Sequence, residues 1–302
     1  MPATLSKLSR KRSSGSRGAQ STDSEDLFDA TKHLGEITEY IEQFDAGARE
    51  RRLDILELFG GVSRIMKTGT KRGHSAASLD TLIGGDHHNL LTKAGFFNTL
   101  DHVLSVKENG LIAGGPPCSW WIFMSIAVHK RSEESPGGDI SVEGVVKANQ
   151  IVTNTIVLMA IGRARSVHEL LEQPMTSRMP LYPCYKKFIA DLRRFFTWMG
   201  CFDHAMAKPS ILWSDMPCDS LVHKWTVAVA AKHKKKHKGN KAWKRCAEGG
   251  VEGTKELTRS SAYTWSFARA VVKVWENTPP TPAMPLVPYM DMFHQLGLVR
   301  GP

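Results

Sequence analysis

The sequence predicts an α/β fold, a doubly wound and mostly parallel sheet with helices on both faces. Three observations predict it. Between residues 53 and 275, short apolar runs of strand length alternate with longer stretches of helical period, the pattern of βαβ units joined by crossover helices. Three of the apolar runs stop at singular turns: Phe59-Gly60-Gly61, Gly114-Gly115-Pro116-Pro117 and Glu172-Gln173-Pro174. Finally, 302 residues of which 41% are hydrophobic supply a substantial core, enough for one large domain or two small ones.

In chain order, residues 1–22 are Ser/Arg/Lys-rich with few apolar residues and are expected to form a disordered basic tail. Ser9-Arg10-Lys11-Arg12 reads as a nuclear address or a weak nucleic-acid arm. The acid-free start reads also as an organelle transit peptide, and equally as a solvated tail. Over 23–50, Leu27, Leu34, Ile37, Ile41 and Phe44 recur at spacings of three, four and seven, an amphipathic helical segment with a break expected near Gly35.

A single α/β body is then expected over 51–276. Its strands are predicted at Leu53–Phe59, His74–Leu79, Leu111–Ala113, Val167–Leu171 and Cys201–Ala207, with further strands at Ile211–Trp213 and Trp225–Ala231. Helices are predicted at Leu91–Leu104, Val142–Arg163, Tyr185–Met199 and Ser260–Trp275. Four prolines between 279 and 285 predict an extended Pro-rich tail over 277–302.

No run of 18 apolar residues occurs and no apolar leader opens the sequence, so neither a membrane span nor a secretory signal is expected. The five cysteines are widely spaced without a CxxC, which predicts free thiols in a reducing, intracellular compartment rather than a disulfide framework. The pairs His87/His88 and His233/His237 each lack a third ligand, so no metal site is expected. The formal charge is +10. Five basic residues and no acid fall in 1–22, and eight basic residues and no acid fall in 232–245; taking these thirteen from 40 leaves 27 basic residues against 30 acidic ones. A slightly acidic body with a basic insert at 232–245 points to localised contact with a polyanion, and nucleic acid is the expected one. Lys234, Lys235, Lys236, Lys238, Lys241, Lys244 and Arg245 suit phosphates, and Trp243 suits stacking, with little base readout.

In an open α/β sheet, ligands bind at the C-terminal ends of the strands, so the three singular turns are expected to line one crevice. Two prolines make the third strand's turn rigid, and Cys118 follows it at a position suited to a nucleophile. Gly60 and Gly61 let the backbone approach a ligand closely, and Asp80, ending the second strand, suits ribose hydroxyls. Trp120 and Trp121 either stack a base or fill the core.

Glu57-Leu-Phe-Gly-Gly61, Gly114-Gly-Pro-Pro-Cys118 and Leu171-Glu-Gln-Pro174 together resemble, in order and approximate spacing, the motifs of cytosine-5 methyltransferases: acidic-Leu-Phe-x-Gly, Gly-Pro-Pro-Cys and Glu-Asn-Val. The likeness extends over residues 53–276. It implies a Rossmann-like fold, S-adenosylmethionine as methyl donor, and nucleic acid, DNA before RNA, as substrate. It further implies Cys118 as the nucleophile that adds to cytosine C6, Glu172 as the partner of N3 and Pro117 as the residue shaping the loop. Phe59 would pack on the adenine, Gly60 and Gly61 would line the methionine moiety, Asp80 would hold the ribose and Asn89 would read the adenine amino group. Ser119-Trp120-Trp121 stands where the family has Gln-x-Phe-Ser. Its Gln-x-Arg-x-Arg motif is absent, Lys208 being the cation in that place. These departures carry two other expectations: a catalytically silent nucleic-acid-binding relative, or a methyltransferase for another substrate.

Overall fold

A computed structural model describes residues 27–47, 49–237, 243–245, 251–253, 261–280 and 289–299. The expected basic tail over 1–22, together with Lys238 and Lys241, lies outside the described residues, as do the side chains of Trp243, Lys244 and Arg245.

The described chain is α/β. After a single 3-10 turn at Ala30–Lys32 come α1 (Leu34–Ala46), β1 (Leu53–Leu58), α2 (Arg64–Lys71), β2 (Ala76–Leu79), α3 (Lys93–Leu104), β3 (Val106–Gly114), α4 (Glu143–Ala164) and β4 (His168–Pro174). The second half holds α5 (Pro183–Phe188), β5 (Arg193–Trp198), β6 (Pro209–Ser214), α6 (Val227–Lys236), the short strands β7 (Trp243–Arg245) and β8 (Val251–Gly253), α7 (Trp265–Glu276) and α8 (Tyr289–Gln295).

Six strands form one sheet in the order β2-β1-β3-β4-β6-β5. The pairings among β2, β1, β3 and β4 are parallel, and both pairings of β6 are antiparallel. The sheet is therefore mixed, five strands running one way and β6 the other. Alternate residues of each strand enter two cores. Leu56, Leu58, Ile112 and Leu171 pack with α3 and α4 on one face. Ile55, Leu111, Leu170 and Leu212 pack with α7 on the other, the period-two alternation of a sheet covered on both sides. α4 is long and apolar enough to cross a membrane by length and composition, yet Ile156 to Ile161 are fully enclosed by sheet and neighbouring helices.

The sequence departs from the structure mainly between 185 and 236. The helix predicted at Tyr185–Met199 stops at Phe188 and gives way to β5. Residues Cys201–Ala207, predicted as a strand, form the end of a 3-10 turn and a loop. Residues Trp225–Ala231, also predicted as a strand, enter α6, whose first turn the Thr226 hydroxyl caps by accepting from Val229 N. The break near Gly35 falls instead at His33, between the 3-10 turn and α1. In the segment predicted as an extended tail, α8 forms and buries Phe293.

Candidate functional site

The sheet order itself places the site. From β1 the chain crosses to β2 on one side, and β3 lies on the other, so the strand order reverses between β1 and β3. At such a reversal the turns leave in opposite directions and open a crevice. The register sets Leu58 beside Gly114 and Gly114 beside Leu171, so the three singular turns leave the sheet at one level. Because β6 runs antiparallel, it begins at this same edge, with Ser210 opposite Pro174. Lys208 and Ser210 thus arrive where β3 and β4 end.

Glu172 is 5% exposed. Its Oε1 accepts from Ser210 Oγ at 2.6 Å and lies 3.5 Å from Lys208 Nζ. Gln173 donates from Nε2 to Pro116 O at 2.7 Å and ties the strand end to the Cys118 turn. Pro117 is exposed on that turn and Cys118 is half-buried. Burial pushes the Cys118 thiol above its ordinary value; Lys208 pulls it down and Glu172 adds to the rise. A nearby basic group makes a thiol more acidic. That group is present, but desolvation outweighs it.

Tyr263, just ahead of α7, reaches over the same turn. A Cβ on Gly115 would stand 2.6 Å from the Tyr263 hydroxyl and 3.5 Å from Glu172 Oε2, so only glycine lets the tyrosine lie there. Burial, then Glu172 and Glu57, hold the phenol well above its usual range. Arg64 donates to the Tyr263 carbonyl and fastens this segment to α2. Neither Tyr263 nor Ser210 was identifiable from sequence, because their partners lie 148 and 38 positions away along the chain.

At the β1 edge, Phe59 is half-buried with φ +56° and Gly61 has φ +53° with nothing within 4 Å of where its Cβ would stand. Gly60 faces inward, and a Cβ there would collide with Ser78 Oγ at 2.2 Å. Gly61 N donates to Asp80 Oδ2 at 2.9 Å, and Asp80 Oδ1 accepts from Leu82 N at 2.8 Å. Asp80 therefore pins the first turn to the end of β2. Asn89 directs its Oδ1 to Leu91 N at 3.0 Å, a local turn contact. Glu57, fully buried on β1, accepts from Met66 N at 2.9 Å, and burial pushes its carboxyl up to about 7. Its Oε1 and the neighbouring Ser78 Oγ have no partner among the described residues. These two orphaned buried polar atoms flank the closed Gly60, one residue before the open Gly61, and fit a polar ligand at this edge. The signal for Glu57 was legible as one of two carboxylates, with Asp54, in an otherwise apolar strand, Leu53-Asp-Ile-Leu-Glu-Leu58.

Trp121 is fully buried, with the Arg131 guanidinium 3.4 Å over its ring, and Trp120 lies against Gly144. Both tryptophans are packing residues. Lys234, Lys235 and Lys236 are exposed at the end of α6, away from the Glu172–Lys208 pair in sequence and element. Among the described residues, no three potential metal ligands come together. No protein-family model matches the chain, and no curated protein matches it.

Proposed function

We propose that the protein transfers a methyl group to C5 of cytosine in nucleic acid, with Cys118 as nucleophile. The observation that carries this reading is the convergence of the Cys118 turn, Glu172 and Lys208 at one sheet edge beside the β1–β3 reversal. The mixed sheet with its reversed strand is compatible with a Rossmann-like methyltransferase fold.

S-adenosylmethionine, when bound, supplies an electrophilic methyl group. Glu57, Ser78, Gly60 and Gly61 would hold its polar end, and Phe59 and Asp80 its nucleoside, with Asn89 at the rim. The protein's own part is covalent. Cys118 Sγ, as thiolate, bonds to C6 and makes C5 nucleophilic; once C5 carries the new methyl group, a base such as water removes the C5 proton, the C5–C6 double bond re-forms, and the Cys118 thiolate leaves C6 and frees the enzyme. Glu172 presents its carboxyl group to N3, fixed by Ser210 and Lys208. The Lys208 ammonium opposes the charge that builds on the base. Flipping the base out costs a few kcal/mol, least on a single strand.

Incubation with labelled S-adenosylmethionine and mixed DNA and RNA, followed by nucleoside analysis, tests the reading. Label is expected in 5-methylcytosine, with Cys118→Ala lowering the rate by about a thousandfold or more. Unchanged activity in that variant overturns the covalent mechanism. The raised Cys118 thiol favours a second reading, a relative that binds nucleic acid without methylating it. That reading fails if the wild-type protein forms a covalent adduct on 5-fluorocytosine DNA.

A further inference from the structure

α2 and α7 pack side by side on the sheet face opposite α3 and α4. From residue 62 to 73 the chain carries Arg64, Lys67, Lys71 and Arg72 and no acid; from 264 to 275 it carries Arg269 and Lys273 and no acid. Between the two helices lies a cleft of about 320 Å³ lined by Thr68, Lys71, Arg72, Trp265 and Arg269. Lys67, Lys71, Arg72, Arg269 and Lys273 are all exposed. Among the described residues, the only carboxylate paired with this group is Glu276 at its far end, which takes Arg72 and His74.

Trp265 stands in the middle and is 38% exposed. The Lys71 ammonium lies 4.7 Å and the Arg64 guanidinium 5.6 Å from its ring centre. An aromatic ring holds a cation in place without neutralising it. The cluster therefore keeps its positive charge in a concave site, where it attracts an anion more strongly than scattered lysines would.

The cleft is also joined to the basic end of α6. Lys236 Nζ pairs with Asp203 Oδ1 at 2.7 Å, Ser266 Oγ donates to Asp203 Oδ2 at 3.3 Å, and Arg269 Nη2 donates to Ser266 Oγ at 3.3 Å. The exposed lysines of α6 and the cations of α7 and α2 thus lie on adjoining surfaces, bridged by the Asp203 carboxylate, with a tryptophan on the α7 side. Cations spaced along a groove with an interleaved aromatic match the phosphates and stacked bases of a single strand.

We propose that the α2–α7 cleft is a binding surface for single-stranded nucleic acid, in which Lys71 and Arg269 contact phosphates and Trp265 carries a base. This rests on the nucleic-acid part of the function proposed above and not on the chemistry of Cys118. The test uses the full chain and a fluorescein-labelled oligothymidylate of about twenty nucleotides, longer than the site expected for one such groove. Affinity is read by fluorescence anisotropy between about 50 and 200 mM salt. The double variant K71Q/R269Q is expected to bind at least about tenfold more weakly. Its log–log salt slope is expected to shrink by about 1.4, two contacts at about 0.7 each on a single strand. W265A is expected to bind about tenfold more weakly. Melting temperatures establish that the variants are folded. Wild-type binding with unchanged affinity and slope in a folded K71Q/R269Q overturns the proposal, as does the absence of wild-type binding. Stronger displacement of the oligonucleotide by polyglutamate than by unlabelled oligothymidylate also overturns it, assigning the cleft to an acidic protein. Methyl incorporation is measured separately on the same oligonucleotide series, so failure of the methyltransferase reading and failure of this surface give different results.

Discussion

At Cys118, burial and Glu172 raise the thiol while Lys208 lowers it, and the rise wins. The consequence for a thiolate nucleophile has a definite sign. Below its pKa, the thiolate fraction grows about tenfold for each pH unit, so kcat/KM for methyl transfer is expected to climb from neutral into alkaline pH. Lys208→Gln removes the opposing cation and moves that climb to higher pH. A purely structural lysine would lower the rate equally at all pH values. A pH–rate profile of wild type and K208Q, carried upward from about pH 6 to the alkaline plateau where the thiol is fully ionised, separates the two by the pH at which the rate levels off; an unchanged levelling pH would remove Lys208 from the site. Cys118 and Glu172 were both legible from their turns, since rigid or acidic strand ends declare themselves locally. Ser210 and Tyr263 are an ordinary hydroxyl and an ordinary ring in sequence, and only the fold brings them to the turn.

At the scale of elements, what was legible is what has a strong local period. β1, β2, β4, α3 and α4 fall close to their predicted places, whereas β3 starts at Val106 rather than Leu111 and α7 at Trp265 rather than Ser260. The failures occur where burial does not follow the local pattern. β5 exposes Arg193, Arg194 and Phe196, so its row of bulky residues mimics a helix face. α6 has no buried residue, so its Val-Ala-Val alternation carried no information about a sheet. The reversed β6 was unforeseeable because period alone does not encode strand direction. The N-terminal segment shows how one polar side chain can fix an element. Asn154, fully buried within α4, donates to Phe28 O at 2.9 Å and Leu90 O at 2.7 Å and accepts from Ala30 N at 3.0 Å. Asn154→Ala leaves these backbone groups without their partner, so stability in urea is expected to fall by about 3 kcal/mol. A loss below about 1 kcal/mol would mean that solvent replaces the contacts and the clip is dispensable.

At the scale of the whole molecule, the two ends of the described chain meet on α4. α8 packs against α1 and α4, burying Phe293 completely and Leu298 to 3% exposure. Arg165, just after α4, joins all three: it donates to both carboxylate oxygens of Asp45 at 3.0 Å and to the Tyr289 hydroxyl at 3.4 Å. The Pro-rich composition of 277–302 concealed this, because Pro279 to Pro285 describe only how the chain leaves α7, not whether it returns. If α8 closes the core, Phe293→Ala is expected to cost about 3–5 kcal/mol through lost burial and the cavity it leaves. Met290, on the same helix but 36% exposed, is expected to change stability by less than about 0.5 kcal/mol on replacement by alanine. Urea midpoints of F293A and M290A measure both. Equally small effects would show that the helix lies on the domain without supporting it. A large effect for F293A alone makes residues 289–299 part of the folding unit, and any truncation meant to isolate the Cys118–Glu172 edge must then retain them.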